Sequence, residues 1–144
     1  MVSYARVSVT DRCNLSCVYC RPAFHRSRDG KASPPAADGK ASPLRDAILS
    51  YEEIARAVSA MASAGISTVR LTGGEPGARP GIEKLIFMLR RIPGISEIVM
   101  TTNGTLLGGK ARLLKEAGLD SLNISLNTLK RERYATICGA DKFE

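Results

Sequence analysis

The sequence predicts an α/β fold built on a parallel β-sheet. Three observations support this class: segments rich in β-branched residues alternate with segments of helical hydrophobic spacing, most connections are short, and Gly or Pro residues mark the segment ends. This order implies parallel strands joined by right-handed crossovers, as in an α/β barrel or a doubly wound sheet. About four strands are predicted, which is too few to close a barrel.

The first strand is predicted near the amino terminus, and the first helix begins at Ser50. Residues 2–9 alternate loosely in polarity and contain β-branched types, as a strand does. The Ser50 hydroxyl can cap the helix while Glu53 reaches back in a capping box, and Gly65 ends it. Apolar residues at helical spacing predict its buried face, and they are Ile54, Val58 and Met61.

A long loop separates these two elements. Residues 21–49 are rich in Pro, Ala, Ser and Gly, and the segment DGKASP at 29–34 recurs at 38–43. A phosphate-binding loop is disfavoured because each Gly-Lys pair is followed by Ala instead of Ser or Thr. We therefore predict a lengthened surface loop that carries a short tandem duplication.

Three more strands follow, and each leads into a helix. The strands are predicted at residues 68–71, 98–101 and 122–126. The apolar positions of the next two helices are Ile82, Leu85, Ile86 and Leu89, and then Leu113, Leu114 and Ala117. A last helix is predicted to begin near Leu129.

The unusual residue clusters all follow predicted strands. The cysteines come after the first strand, GGEP at 73–76 after the second, TTNG at 101–104 after the third, and Ser125 lies at the end of the fourth. In a parallel α/β barrel the active site lies at the carboxyl ends of the strands. The coincidence therefore predicts a functional site at this edge of the sheet.

Composition and charge narrow the class of protein. The 144 residues are 44% hydrophobic and 24% charged, as in a globular domain, and no run reaches the length of a membrane-spanning helix. Because no signal-peptide pattern is present, we expect a cytoplasmic protein without a membrane partner. The net charge of +7 indicates either a solvated basic surface or an anionic partner. With 5% aromatic residues and no Trp, a small phosphorylated ligand fits at least as well as nucleic acid, and no nucleic-acid partner is expected.

Three of the four cysteines lie close together in one loop. Cys13, Cys17 and Cys20 form C-x3-C-x2-C, whereas a structural zinc site uses four ligands. A 4Fe-4S cluster held by three thiolates leaves one iron open for S-adenosylmethionine, whose carbon–sulfur bond one electron can cleave. The alternatives are a zinc knuckle, with His25 as a fourth ligand, and thiols without a metal. Cys138 is interpreted as an ordinary helix residue.

Five segments of the chain resemble those of a known protein family. They are YARVSVTDRCNLSCVYC at 4–20, SYEEI at 50–54, VRLTGGEPGARP at 69–80, TTNGTLL at 101–107 and GLDSLNISLNTL at 118–129. The cysteine triad resembles the radical S-adenosylmethionine superfamily. The combination of TDRCN, RLTGGEP and TTNG resembles, within it, the GTP 3',8-cyclase family of molybdenum cofactor biosynthesis. The resemblance implies the N-terminal part of a partial (β/α) TIM-type barrel, with about four parallel strands and helices outside.

The resemblance also implies roles for individual residues. The catalytic residues, which also ligate one 4Fe-4S cluster, would be Cys13, Cys17 and Cys20. The residues that bind S-adenosylmethionine would be Tyr19, Gly74 and Ser125. The residues that bind GTP would be Arg6, Arg70 and Thr101. In the family, hydrogen abstraction from the ribose of GTP leads to (8S)-3',8-cyclo-7,8-dihydroguanosine 5'-triphosphate.

Simpler interpretations of these residues stay open. Arg6 is alternatively a surface arginine, Thr101 a strand-end cap, and Asn103 with Gly104 a turn. Other functions compatible with the sequence are a radical S-adenosylmethionine enzyme of the peptide-modifying or synthase type and a non-catalytic iron–sulfur or zinc-binding module. In favour of GTP, the planar guanidinium of arginine binds two phosphate oxygens at once.

The sequence departs from the family pattern in three respects. Arg21 replaces a Met after the third cysteine, and Asn127 stands where Asp is common, which removes one negative charge. The family continues to a second cysteine triad, so the chain is interpreted as a fragment. Either a C-terminal half or a second copy is expected to complete the barrel, and an electron donor is a further expected partner.

Overall fold

The computed structural model of the chain describes residues 2–20 and 48–143, and their elements follow the predicted strand–helix order. The strands are β1 (Tyr4–Ser8), β2 (Thr68–Thr72), β3 (Glu97–Thr102) and β4 (Ser121–Ile124). The helices are α1 (Tyr51–Ser63), α2 (Ile82–Arg90), α3 (Ala111–Glu116) and α4 (Arg131–Cys138). A single 3-10 turn (Pro76–Ala78), which the sequence did not predict, lies between β2 and α2. The duplicated DGKASP segment, Arg21 and His25 lie outside the described residues.

The four strands form one parallel sheet in the order β1-β2-β3-β4. Sequential parallel strands with a helix after each of β2, β3 and β4 are the repeating unit of a TIM-type barrel. The predicted fold class, part of a (β/α) barrel with about four strands, is therefore confirmed.

The chain divides into two units. Of the described residues, 2–14 and 49–126 make up the sheet unit, which contains all four strands and α1 to α3. Residues 15–20, 48 and 127–143 make up the α4 unit. Cys13 belongs to the sheet unit, whereas Cys17 and Cys20 belong to the α4 unit.

One face of the sheet supplies the hydrophobic core of the sheet unit. Side chains alternate along each strand, so Val69 and Leu71 of β2 and Ile98 and Met100 of β3 share a face, and all four are fully buried. The predicted apolar positions of α2 are all buried in the same core, and they are Ile82, Leu85, Ile86 and Leu89. Burial of each such side chain contributes about 1.5 to 3 kcal/mol, so this face stabilises the fold.

The buried face of α1 differs from the prediction at one position. Ile54 and Val58 are buried as predicted, but Met61 is 38% exposed and the prediction for it is wrong. Ala62 packs against the core in its place, so the buried stripe continues at positions i, i+4 and i+8 from Ile54 through Val58. In α3, Leu114 is buried whereas Leu113 is 47% exposed.

The predicted capping box at the start of α1 is confirmed. The Glu53 backbone N–H donates to Ser50 Oγ at 3.2 Å, and the Ser50 N–H donates to Glu53 Oε2 at 2.7 Å. Gly65 follows the helix with a φ of 102°, which favours glycine. None of the helices in the described residues is long and apolar enough to cross a membrane.

Candidate functional site

The face of the sheet opposite the core, called the polar face, carries mostly polar strand residues and one buried apolar residue, Val99. Arg6 of β1 pairs with Arg70 of β2, and both alternate with core residues, so the two arginines lie side by side on this face. Thr101 of β3 lies on the same face, because it follows the core residue Met100. The three residues predicted to bind GTP therefore share one face.

Arg70 carries an unsatisfied donor on this face. Its Nε is buried and has no hydrogen-bond partner within the described residues. Its guanidinium carbon lies 5.6 Å from the centre of the Tyr4 ring, a cation–π distance. Among residues 2–20 and 48–143 the ion pairs are Arg90–Asp120, Arg112–Glu116 and Arg131–Asp141. Neither arginine of the polar face is neutralised by any of these pairs.

Ser125 lies just beyond β4, at the same edge as Thr101. Its backbone N–H donates to the Thr102 carbonyl at 2.8 Å, which extends the pairing of β3 with β4. Because Asn123 pairs with Thr101, the alternation along the strand places Ser125 on the polar face. The structure thus brings this residue to the edge where the sequence predicted a site.

The predicted glycine pair approaches the backbone of residues 10–12. The Gly74 N–H donates to the Thr10 carbonyl at 2.8 Å, and the Glu75 N–H donates to the Arg12 carbonyl at 2.8 Å. A Cβ atom at Gly74 would lie 2.3 Å from the Arg12 oxygen, too close for any side chain. The packing of the protein itself therefore requires glycine here.

Glu75 connects the ends of β2 and β3. Its side chain is 1% exposed, and its oxygens accept hydrogen bonds from Gly77 N–H at 2.8 Å and from Thr102 Oγ1 and Asn103 N–H, each at 2.7 Å. A buried carboxylate is stabilised by several donors of this kind. Glu75 was named from the sequence only as part of the GGEP motif, and its role in joining the two strand ends was not predicted.

The segment after β3 forms a turn, which confirms one of the simpler interpretations. Asn103 Oδ1 accepts hydrogen bonds from the Thr105 N–H at 3.0 Å and from its hydroxyl at 2.7 Å, and Gly104 has a φ of 83°. The hydroxyl that caps the strand end belongs to Thr102, which accepts from the Gly104 N–H at 3.1 Å. Thr101 is therefore not the capping residue.

The α4 unit holds the other two predicted ligands and Tyr19. The Ser16 N–H donates to the Cys138 carbonyl at 3.0 Å, the Val18 N–H donates to the Ile137 carbonyl at 2.8 Å, and the Cys20 N–H donates to the Cys17 carbonyl at 2.9 Å. These bonds fix the backbone of the cysteine segment against the end of α4. The turn between Cys17 and Cys20 places both thiols on one short loop.

Asn127 has a structural function that the sequence analysis did not predict. The Tyr19 hydroxyl donates to Asn127 Oδ1 at 3.0 Å, and Asn127 Nδ2 donates to the sulfur of the fully buried Cys138 at 3.4 Å. Partial burial raises the pKa of the Cys17 thiol above its usual value, and the neighbouring Cys138 adds to this shift. Cys138 therefore interacts with Asn127 and Cys17 and is not an isolated helix residue.

The donor chemistry of the cysteine segment fits an iron–sulfur cluster. Cys13 and Cys20 are exposed and Cys17 is half-buried, and none of the described cysteines is in a disulfide bond. Thiolates are the ligands that such clusters require. Within residues 2–20 and 48–143, no three His, Cys, Asp or Glu side chains are arranged to hold a metal ion. The ligand assignment therefore stays a prediction from the cysteine spacing.

Comparisons with known proteins agree with this fold and this motif. The profile of the Radical SAM superfamily matches residues 7–144, so the chain belongs to that superfamily. Membership implies an iron–sulfur cluster and S-adenosylmethionine as cofactors. The fold is also similar to the crystal structure of BtrN in complex with AdoMet and 2-DOIA, with a TM-score of 0.55 and 22% identity over 99% of this chain and 54% of that one.

Several curated relatives are named GTP 3',8-cyclase. The protein from Pelotomaculum thermopropionicum is 47% identical over 136 residues, which are 94% of this chain and 38% of the relative. The protein from Petrotoga mobilis is 44% identical over 142 residues, which are 99% of this chain and 40% of the relative. The chain thus spans less than half the length of these curated relatives.

Proposed function

We propose that the chain is the N-terminal part of a GTP 3',8-cyclase. The whole enzyme would convert GTP to (8S)-3',8-cyclo-7,8-dihydroguanosine 5'-triphosphate, in the pathway to the molybdenum cofactor. The names of the curated relatives support this assignment. A C-terminal half or a second copy would complete the barrel, and an electron donor would reduce the enzyme.

The observation that carries the proposal is the arginine pair on the polar face. Arg6 and Arg70 are register partners, and the buried Nε of Arg70 has no partner within the described residues. An unsatisfied buried donor costs about 1 to 3 kcal/mol, and neighbouring like charges add to that cost. A triphosphate would supply acceptor oxygens to both guanidinium groups and would offset both costs.

The cysteine segment would hold the cofactors. Cys13, Cys17 and Cys20 would ligate one 4Fe-4S cluster, in keeping with their accessibility and with the thiolate chemistry of such centres. When bound, this cluster supplies the electron that cleaves a carbon–sulfur bond of S-adenosylmethionine. Residues 21–49, which follow, would form the lengthened loop of this N-terminal radical S-adenosylmethionine core.

Three further residues would bind S-adenosylmethionine. The Gly74 N–H already donates to Thr10, so its carbonyl is the group left to accept from the ligand's ammonium. The hydroxyl of Tyr19 donates to Asn127 and keeps its own lone pairs for a donor on the ligand. Ser125, at the end of β4, would offer its hydroxyl to the methionine or ribose moiety.

The experiment that tests this function is an anaerobic turnover assay. The full chain is reconstituted with iron and sulfide and is then given dithionite, S-adenosylmethionine and GTP. Chromatography measures 5'-deoxyadenosine in the chain by itself, and the cyclised nucleotide after the chain has been fused to the C-terminal part of the Pelotomaculum thermopropionicum relative. We expect 5'-deoxyadenosine in both and the cyclised nucleotide in the fusion. In the fusion, Cys17→Ala should lose both products, whereas Arg70→Ala should lose the cyclised nucleotide and keep 5'-deoxyadenosine. Arg56→Ala, an exposed position on α1, is the matched control and should behave as the parent.

Two results would contradict the proposal. Formation of 5'-deoxyadenosine without a cyclised nucleotide in the fused, completed enzyme would indicate a different radical S-adenosylmethionine enzyme. Incorporation of zinc in place of iron and sulfide would indicate a non-catalytic metal-binding module.

A further inference from the structure

A side-chain amide of the sheet unit points at one of the predicted cluster ligands. Asn103 Nδ2 lies 3.9 Å from the sulfur of Cys13, at the long end of the range for an N–H···S hydrogen bond. The same nitrogen donates to Asn14 Oδ1 at 3.0 Å. Because an amide NH2 carries two hydrogens, one serves Asn14 and the other is available to the sulfur.

The orientation of this amide is fixed by its neighbours. Asn103 Oδ1 accepts from the Thr105 backbone N–H at 3.0 Å, and a backbone N–H can only donate. A flipped amide would set two donors against each other, so the oxygen must face Thr105 and the nitrogen must face Cys13. The structure thus determines which end of the amide meets the sulfur.

A buried carboxylate holds the backbone of Asn103 in place. The Asn103 N–H donates to Glu75 Oε2 at 2.7 Å, and the other oxygen of Glu75 binds Thr102 and Gly77. This carboxylate is 1% exposed and joins the ends of β2 and β3. The donor is therefore held by the hydrogen-bonded ends of β2 and β3, as a precisely oriented hydrogen bond to a metal ligand requires.

We propose that Asn103 sets the reduction potential of the cluster by donating a hydrogen bond to the thiolate of Cys13. This inference rests on the proposed function, because it requires Cys13 to be a cluster ligand. Hydrogen bonds to ligand sulfurs stabilise the reduced, more negative cluster and raise its potential. Asn103 would then be a positioning and tuning residue that acts through Cys13 without touching GTP.

The test measures the midpoint potential of the cluster in the reconstituted full chain. A redox titration is monitored by electron paramagnetic resonance at each applied potential. Asn103→Asp keeps an acceptor for Thr105 but places a carboxylate oxygen beside the sulfur, so we expect a more negative midpoint potential. Asn103→Ala adds no charge and should shift the potential in the same direction by less. Leu106→Ala changes the same turn at a side chain that makes no hydrogen bond to the amide, and it should leave the parent potential unchanged.

Iron and sulfide content is measured for every variant, so that the potential is compared only among chains that hold an intact cluster. An unchanged potential in both Asn103 variants would overturn the inference and leave the proposed function intact. An equal shift in Leu106→Ala would also overturn it, because a general disturbance of the loop would then be the cause. A parent chain that assembles no cluster would overturn this inference and the proposed function together.

Discussion

Adjacent residues of β2 show how different the two faces of the sheet are. Leu71 is fully buried in a core that it shares with residues of α1 and α2. Arg70, one position earlier and on the opposite face, has a buried Nε without a hydrogen-bond partner among the described residues. The apolar face stabilises the fold, whereas the polar face carries two adjacent arginines outside the ion pairs of the described residues, which supports the proposal that it binds an anion.

The two faces of the sheet also leave different signals in the amino-acid sequence. The spacing of apolar residues along a helix or a strand predicts which residues form the apolar face, because burial repeats with the period of the element. The polar face has no such period of its own, and only its residue types and their positions at strand ends indicate its function. If the apolar face determines stability and the polar face does not, substitutions on the two faces should differ in their effect on stability, and these effects follow from the largest to the smallest.

Truncation on the apolar face should have the largest effect. Leu71→Ala removes a fully buried side chain and should lower the free energy of unfolding by about 2 to 5 kcal/mol, because it leaves a cavity in the core. Urea unfolding followed by circular dichroism measures the change. The matched variant is Arg70→Ala, which removes an unsatisfied donor but also the contact with the Tyr4 ring. Because these two effects oppose each other, the free energy of unfolding should change by less than about 1 kcal/mol. An equal loss in both variants would contradict the division between the faces.

Removal of the carboxylate that connects the strand ends should have the next largest effect. Glu75→Ala leaves the donors at Gly77, Thr102 and Asn103 without their acceptor and should cost on the order of 3 kcal/mol of stability. Thermal and urea unfolding measure this loss, with Glu52→Ala on the exposed side of α1 as the control. A fully stable Glu75→Ala chain would show that these bonds are not important to the fold.

The capping box of α1 predicts a small dependence of stability on pH. The Ser50 N–H lowers the pKa of Glu53 below its usual value of 4.5, because it donates to the carboxylate. A lowered pKa in the folded state stabilises the protein above the unfolded value, and this contribution is lost as the pH falls through the folded value. The difference in unfolding free energy between parent and Glu53→Ala should therefore shrink in acid. A difference that grows on acidification would contradict this prediction.

Most of the fold could be predicted from local patterns. The capping box and the four buried positions of α2 follow from short-range spacing, and both predictions are confirmed. Met61 was predicted wrongly, because spacing alone did not show that the small Ala62 packs against the core. The centre of a helical face depends on the partner surface, which the local sequence does not contain.

The residue types of the candidate site could be predicted from the sequence, but the hydrogen bonds that join them could not. Arg6, Arg70 and Thr101 do share one face, as strand alternation requires. The burial of Glu75 was not predictable, since glutamate is usually exposed and two of its three partners lie 27 and 28 residues away at the end of β3. The orientation of Asn103 depends on that same pairing of strands.

The affinity for GTP tests the central claim, that the polar face of the sheet binds a triphosphate. Isothermal titration calorimetry on the full chain compares the parent with Arg70→Ala and with Arg56→Ala as the charge-matched control. We predict that Arg70→Ala weakens GTP binding by about tenfold to a hundredfold, as expected for loss of hydrogen bonds between charged groups, while Arg56→Ala binds as the parent does. Equal affinities in the parent and in Arg70→Ala would contradict the account.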